Sequence, residues 1–310
     1  MNGSRLLVIF VNAMFYLAIQ INSLDTGAAL LTPVIIFLVA LGAGSVVFVA
    51  ESRRIGARNL FYGSYSPRGS GSLILKRCIQ LMILVFLSGI TGSKIFSILI
   101  HPEAFMEAPL FVLFSGSGFV FYGGFMISML VIIVFGARQK VRLAQLLDAL
   151  MPALLFAYAT GRLCCHLNGI SVNGIENNLV KPDWLFFLPD QLWKRETGNG
   201  SHPFAVFPTQ LYEAAVCYLL FIVTWMFRKK FHVPGELSGF GLALFGAQRF
   251  LVEELRWDYG FTLLFKQPQF FSLLLVFAGG MIFYTSYRKG RHRVFYSNYL
   301  RIRNSSRNKE

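Results

Sequence analysis

Residues 146–169 read "LLDALMPALLFAYATGRLCCHLNG". Apart from Asp148, everything from 146 to 161 is apolar or small, which matches a bilayer-crossing helix of about 20 residues. Arg162 then stands where most of the bilayer has been crossed, with Cys164, Cys165 and His166 directly behind it. A charge at the centre of a span costs about 2.5–3.5 kcal/mol on insertion scales, so this arginine needs a partner or a water-filled cavity. The cysteines and histidine open three readings: a metal site, a nucleophile, or packing. A zinc ion would want four ligands, and no second cluster at ligand spacing exists in the chain. Adjacent cysteines rarely bridge, and Cys78 and Cys217 begin or lie within other apolar runs, so no disulfide framework is expected.

Outward from that segment, the whole chain has the same character. Of its 310 residues 55% are hydrophobic and 14% charged, and the mean hydropathy is +0.55. A soluble domain needs a far more charged exterior. Apolar runs recur at 28–50, 78–101, 118–136, 143–165, 211–227, 237–252 and 270–287, without the alternation of a membrane barrel. The expected fold is an all-α polytopic membrane protein with about seven core transmembrane helices. Residues 6–20 form an additional N-terminal apolar segment, either an anchor or a signal-like leader within 1–27, with the lack of a clear cleavage site favouring an anchor. The run at 237–252 is short, and spans only if Glu253 and Glu254 sit at an interface or cavity.

The net charge of +14 is not a nucleic-acid footprint, because it is concentrated in short stretches between apolar runs. These stretches are 51–77, 137–142, 228–236 and the tail from Arg288 onward. Under the positive-inside rule they are cytoplasmic, and the seven spans then alternate without conflict. The core is thus expected over 28–290, with 166–210 as an extracytoplasmic loop and 291–310 as a basic cytoplasmic tail suited to anionic lipid. The loop carries Trp184, Phe186, Phe187 and Trp193, which suit a headgroup boundary or a substrate-handling surface.

Lys94, Asp148, Arg162, Arg249 and Glu253 fall in or at the edges of spans, and each needs an explanation. Asp148 is close to a cytoplasmic loop and reads as structural. The topology sends Arg162 and Arg249 toward the same side of the membrane, where they can converge. Two guanidiniums together repel unless an anion joins them, and arginine binds phosphate through planar paired donors without shedding its charge. The commonest phosphate in a membrane is a phospholipid headgroup. The plainer reading of Arg249 pairs it with Glu253, four residues on along the same face. Arg162 has no acidic residue three or four positions away, so its partner must come from elsewhere. The glycines of "FYGGF" (121–125) and "TGR" (160–162) place small residues where helices approach closely or a lipid chain passes.

Four stretches together carry a family resemblance. "GRLCCHLNG" (161–169), "GSGFVFYGGF" (116–125), "FPTQLYE" (207–213) and "GAQRFLVEELR" (246–256) occur in the order of the motifs of the prolipoprotein diacylglyceryl transferase family. The resemblance covers about 28–290. It implies a multi-pass enzyme of the bacterial inner membrane that moves diacylglycerol from phosphatidylglycerol to the lipobox cysteine thiol of secreted prolipoprotein precursors. Glycerol phosphate is released, and neither metal nor organic cofactor takes part. By motif position the resemblance assigns catalysis to Arg162, Arg249 and Tyr122. It assigns substrate binding to the same arginines with Gly123, Gly124, Gly161, Cys165, Asn168, Glu213 and Glu253. The nucleophile belongs to the substrate, so Cys164 and Cys165 fall to packing. This chain departs from the pattern in having Tyr122 for a histidine, Cys164 for a glycine and Phe245 for a tyrosine. It also lacks an acidic residue near Ile170. Two other readings are a non-catalytic homologue that binds phospholipid or precursor, and a transporter whose charges line a substrate path, although no inverted repeat is visible.

Overall fold

The computed structural model describes residues 31–55, 70–114, 120–167, 174–177, 179–183, 195–197, 204–256 and 267–307. The N-terminal apolar run and the aromatic cluster of the long loop lie outside them. The helices are α1 (Leu31–Ile55), α2 (Ser70–Ile100), α3 (Pro102–Glu107), α4 (Pro109–Phe114), α5 (Phe121–Arg138), α6 (Leu143–Leu167), α7 (Thr209–Phe227), α8 (Glu236–Glu253) and α9 (Gln267–Arg307). A two-stranded antiparallel ribbon, β1 (Arg195–Thr197) and β2 (Phe204–Val206), precedes α7. The described part of each expected core span falls on one of the seven longer helices. Segments of α2, α6, α7 and α9 are long and apolar enough to cross a membrane by themselves, and α5 is a shorter apolar helix. The protein is an all-α polytopic membrane protein.

α6 is the axis of the bundle. It packs against α1, α7 and α8, while α2 pairs with α5 and α8 with α9. Leu146, Leu150 and Leu155 of α6 are fully buried, and meet Val47 and Phe48 of α1 and Leu81 and Met82 of α2 in one apolar core. Large apolar side chains such as Leu87, Leu99, Leu130 and Phe277 point outward, as lipid-facing residues do when the solvent is hydrocarbon.

With no hydrophobic difference between lipid and core, close helix approach supplies the packing energy. A Cβ on Gly123 would lie 2.4 Å from Phe96 Cβ and 2.6 Å from the Gly92 carbonyl oxygen, so the α2–α5 crossing depends on bare backbone there. The α8–α9 crossing is as tight, since a Cβ on Gly239 would meet Phe283 N at 2.5 Å.

Lys94, Asp148 and Glu51 have partners. Lys94 donates from Nζ to the Val112 carbonyl of α4 at 2.8 Å. Asp148 accepts the Gly235 and Ser238 amides, each at 2.7 Å, and so satisfies orphan donors at the start of α8. Gly235, the residue before that helix, has φ +99°, where a side chain would be strained. At the C-terminal ends of α1 and α7, buried Glu51 pairs with Arg54 at 2.5 Å and Arg228 at 3.3 Å.

Candidate active site

Where α6, α7 and α8 converge, the charges expected from the sequence meet on one carboxylate. Glu213, in the first turns of α7, is only 1% exposed. Its Oε1 accepts from Arg249 Nη1 of α8 at 2.5 Å, and its Oε2 lies 2.6 Å from Arg162 Nε of α6. Arg249 also pairs through Nη2 with Glu253 Oε2 at 2.9 Å, one turn along α8. Arg256 approaches both carboxylates, 3.9 Å from Glu213 and 3.8 Å from Glu253. Three guanidiniums therefore face two carboxylates, and one positive charge is left in excess. Buried ions are tolerable only when paired and hydrogen-bonded, so the cluster is held together by mutual need.

Tyr158, one turn before Arg162 on α6, completes the arrangement. Its hydroxyl donates to Glu213 Oε2 at 2.9 Å and accepts from Arg162 Nε at 3.0 Å. Its ring stands edge-on to Phe245, with centroids 5.1 Å apart. Among the described residues, the contacts of Arg162 with Glu213 and Tyr158 both run through Nε, and its side chain is 19% exposed against 3% for Arg249. Nε is thus the atom through which Arg162 joins the cluster.

Tyr122 approaches from α5. Its hydroxyl donates to the Pro268 carbonyl of α9 at 2.9 Å, and its ring stacks on Phe271 with centroids 4.3 Å apart. The Arg249 guanidinium neighbours the same hydroxyl. A short stretch of the long connection between α6 and α7 is stitched over the end of α8 and the entry to α7. Ile175 donates to the Leu255 carbonyl at 3.0 Å, Phe207 donates to the Ile175 carbonyl at 3.1 Å, and Gly174 pairs with Arg256. A Cβ on Gly174 would fall 2.0 Å from the Phe207 carbonyl oxygen, so only glycine fits.

Of the residues singled out by sequence, Arg162, Arg249, Glu213 and Glu253 are brought together, and Tyr122 stands beside them. Gly123 and Gly124 lie in the α2–α5 crossing, and Gly161 faces Ala40 of α1. Cys165 is half-buried and within the electrostatic reach of Arg162 and Glu213, whereas Cys164 is buried. Asn168 lies outside the described residues. Among the described residues no group of three histidines, cysteines or carboxylates converges. Two members of the cluster were not singled out as site residues. Tyr158 carried only one signal, its place four residues before Arg162 on one helical face. Arg256 carried only the last position of the "GAQRFLVEELR" motif.

The fold and the site define a polytopic helical bundle with a buried, net-positive arginine–carboxylate cluster, an arrangement whose guanidinium donors can pair with an anion. The family model described as prolipoprotein diacylglyceryl transferase matches residues 12–285, and the chain belongs to that family. Among similar proteins is the phosphatidylglycerol--prolipoprotein diacylglyceryl transferase of Leptospira interrogans serovar Lai. It is 30% identical over 223 residues, which cover 62% of this chain and 66% of that protein. The protein of the same name from Lactococcus lactis is 27% identical over 210 residues, 66% of this chain and 76% of its own. A Clostridium perfringens relative, named phosphatidylglycerol--prolipoprotein diacylglyceryl transferase 2, is 26% identical over 211 residues, 67% and 78% respectively.

Proposed function

We propose that this protein transfers the diacylglyceryl group of phosphatidylglycerol to the lipobox cysteine thiol of prolipoproteins. The observation that carries the reading is the joining of Arg162 and Arg249 on Glu213, with positive charge in excess. In this reaction a substrate thiolate attacks the sp3 glyceryl carbon, the S–C bond forms and the C–O bond to phosphate breaks. The electron pair stays on the phosphate oxygen, and the thiol proton ends on the released glycerol phosphate or in solvent. Negative charge thus grows on the leaving phosphate, where fixed guanidinium donors in a water-poor site favour the transition state over the ground state. The same guanidiniums favour thiolate over thiol in the incoming precursor. Tyr122 in this scheme orients the site from α5 instead of serving as an obligatory base, since an unperturbed phenol titrates near 10. Gly123, Gly124, Gly161, Cys165 and Asn168 keep the substrate-binding assignment that their motif positions imply.

Thioether formation on a lipobox peptide by the purified protein in phosphatidylglycerol micelles tests this reading, and no detectable rate would overturn it. One observation favours the second reading, a homologue that binds lipid without turnover: the Tyr122 hydroxyl is committed to the Pro268 carbonyl. Retained phosphatidylglycerol binding without thioether formation would select that reading.

The proposed setting is the bacterial inner membrane. Residues 51–77 and the C-terminus are cytoplasmic in it, 166–210 faces outward, and the basic tail rests on anionic lipid. Reporter fusions check the topology, and a cytoplasmic signal from 166–210 would refute it.

A further inference from the structure

Glu213, Arg249 and Glu253 are nearly or fully buried, so their geometry is fixed by the surrounding packing. Arg162 is different. It is the most exposed of the three arginines in the cluster, and its long side chain has several rotatable bonds to immobilise before it can present a phosphate with two donors at once. Something must hold its plane.

We propose that Tyr158 is the positioning residue that holds Arg162 so that its two terminal amino groups present a fork to the lipid phosphate, an inference that rests on the transferase reading above. Three observations carry it. First, the single Nε–H of Arg162 is donated to the Tyr158 oxygen at 3.0 Å, while Glu213 Oε2, 2.6 Å from Nε, acts as a counter-charge beside that bond. Second, the Tyr158 hydroxyl passes its own hydrogen to Glu213 Oε2 at 2.9 Å. The tyrosine oxygen is therefore engaged both as donor and as acceptor and cannot turn without losing a hydrogen bond. Third, the guanidinium carbon lies 5.2 Å from the Tyr158 ring centroid, and that ring is braced edge-on by Phe245. Both residues sit on one rigid face of α6, one turn apart, so the helix itself sets their spacing. The result is a guanidinium held at its Nε side, where both the Tyr158 bond and the Glu213 contact fall among the described residues.

This arrangement solves a problem posed by Glu213. A carboxylate placed between two arginines competes with phosphate for the same donors. If Glu213 took Arg162 end-on through both Nη groups, the fork would be consumed. The Tyr158 hydroxyl turns the contact side-on, so Glu213 neutralises the charge without occupying the donors. In this chain, where position 245 is phenylalanine, the hydroxyl beside the arginines comes from α6.

Tyr158→Phe removes only the oxygen and leaves the ring contacts in place. Because the phosphate gains charge in the transition state, loss of the positioned fork should fall mainly on kcat. A misplacement on the order of 1 Å can cost about 10²-fold, so a roughly 10- to 100-fold loss of kcat is expected with KM for phosphatidylglycerol changed by less than about 3-fold. A tyrosine that merely supported the fold would lower the amount of active protein without this split. The coupling is equally specific. Lysine has no Nε, so in an Arg162→Lys background Tyr158→Phe should cost less than about 2-fold, whereas independent roles would add.

A second measurement does not need turnover. In micelles of the ¹⁵N-labelled protein, the Arg162 Nε–H resonance, assigned by its loss in Arg162→Lys, should shift on addition of phosphatidylglycerol. In Tyr158→Phe it should begin at a different position and respond at least several-fold more weakly. An unchanged resonance, an unchanged kcat in an active protein, or full additivity with Arg162→Lys would each overturn the inference. A wild type with no thioether formation would instead sink the transferase reading, and the lipid response of the resonance would still decide the role of Tyr158.

Discussion

Glu213→Gln isolates the charge that joins the two arginines while keeping the size of the side chain. In the structure Glu213 faces Arg249 at 2.5 Å and Arg162 at 2.6 Å and is 1% exposed. At an effective dielectric of about 20, a pair at about 4 Å attracts by about 4 kcal/mol, and the shorter contacts here exceed that. Desolvation of each ion takes back several kcal/mol, so the net worth of the cluster is small. Removing one partner is different, because the remaining ions stay buried without compensation, and the loss is about 3–5 kcal/mol. With three guanidiniums facing one carboxylate, the excess positive charge doubles. At roughly 2–4 °C per kcal/mol for a domain of this general size, the midpoint of thermal unfolding should fall by about 10 °C. Unfolding of purified protein in micelles, followed by tryptophan fluorescence, gives that number directly. The same titration with phosphatidylglycerol carries the sharper test. A phosphate that binds this cluster replaces the missing negative charge, so the lipid should raise the midpoint of Glu213→Gln by more than it raises that of the wild type. A midpoint within about 2 °C of wild type would show that Glu213 is not the keystone of the cluster. Equal or smaller stabilisation by the lipid would show that the phosphate binds elsewhere.

Arg162→Lys should be nearly as damaging to thioether formation as Arg162→Ala, because a point charge cannot reproduce a planar fork; near-wild-type activity of the lysine variant would refute paired-donor binding. Tyr122→Phe loses the hydrogen bond from α5 to the Pro268 carbonyl and should slow transfer by roughly 10- to 1000-fold, with little recovery between pH 6.5 and 9. Substantial rescue at high pH would make Tyr122 the proton acceptor. Asp148→Ala strips two charge-assisted hydrogen bonds from the start of α8 and should cost about 2–4 kcal/mol of stability in a thermal or denaturant assay, and an unchanged midpoint would show that the cap is dispensable.

The spans were legible because apolar length is a direct physical requirement of the bilayer, which leaves little freedom. The short run at 237–252 was the conditional case; it lies on α8, and Glu253 at the end of that helix is fully buried in the ion cluster. The need for partners was legible too. A charge in a membrane segment announces a debt, so Lys94, Asp148 and Arg162 could each be said to require a partner. What sequence cannot give is the creditor. Lys94 is answered by a backbone carbonyl 18 residues away, and a carbonyl leaves no trace in residue type. Asp148 could be placed near a loop, but its role emerges only when α8, some 90 residues on, begins beside it.

Arg162 shows the limit most clearly. Lack of an acidic neighbour on its own helix forced its partner to lie elsewhere, yet phosphate and a distant carboxylate satisfied that requirement equally well on paper. The structure answers with Glu213, whose contact with Arg162 spans two helices. A carboxylate in that place does not displace the phosphate reading. Without an anion the two arginines would repel each other, and the site could not stay assembled between visits of the lipid. With one carboxylate held side-on by Tyr158, the pair stays together and still has donors to offer. Tyr158 escaped the sequence for the same reason that it matters. Its spacing from Arg162 was visible, but a tyrosine on an apolar helix is ordinary until the oxygen is seen lying between an arginine and a glutamate from different helices.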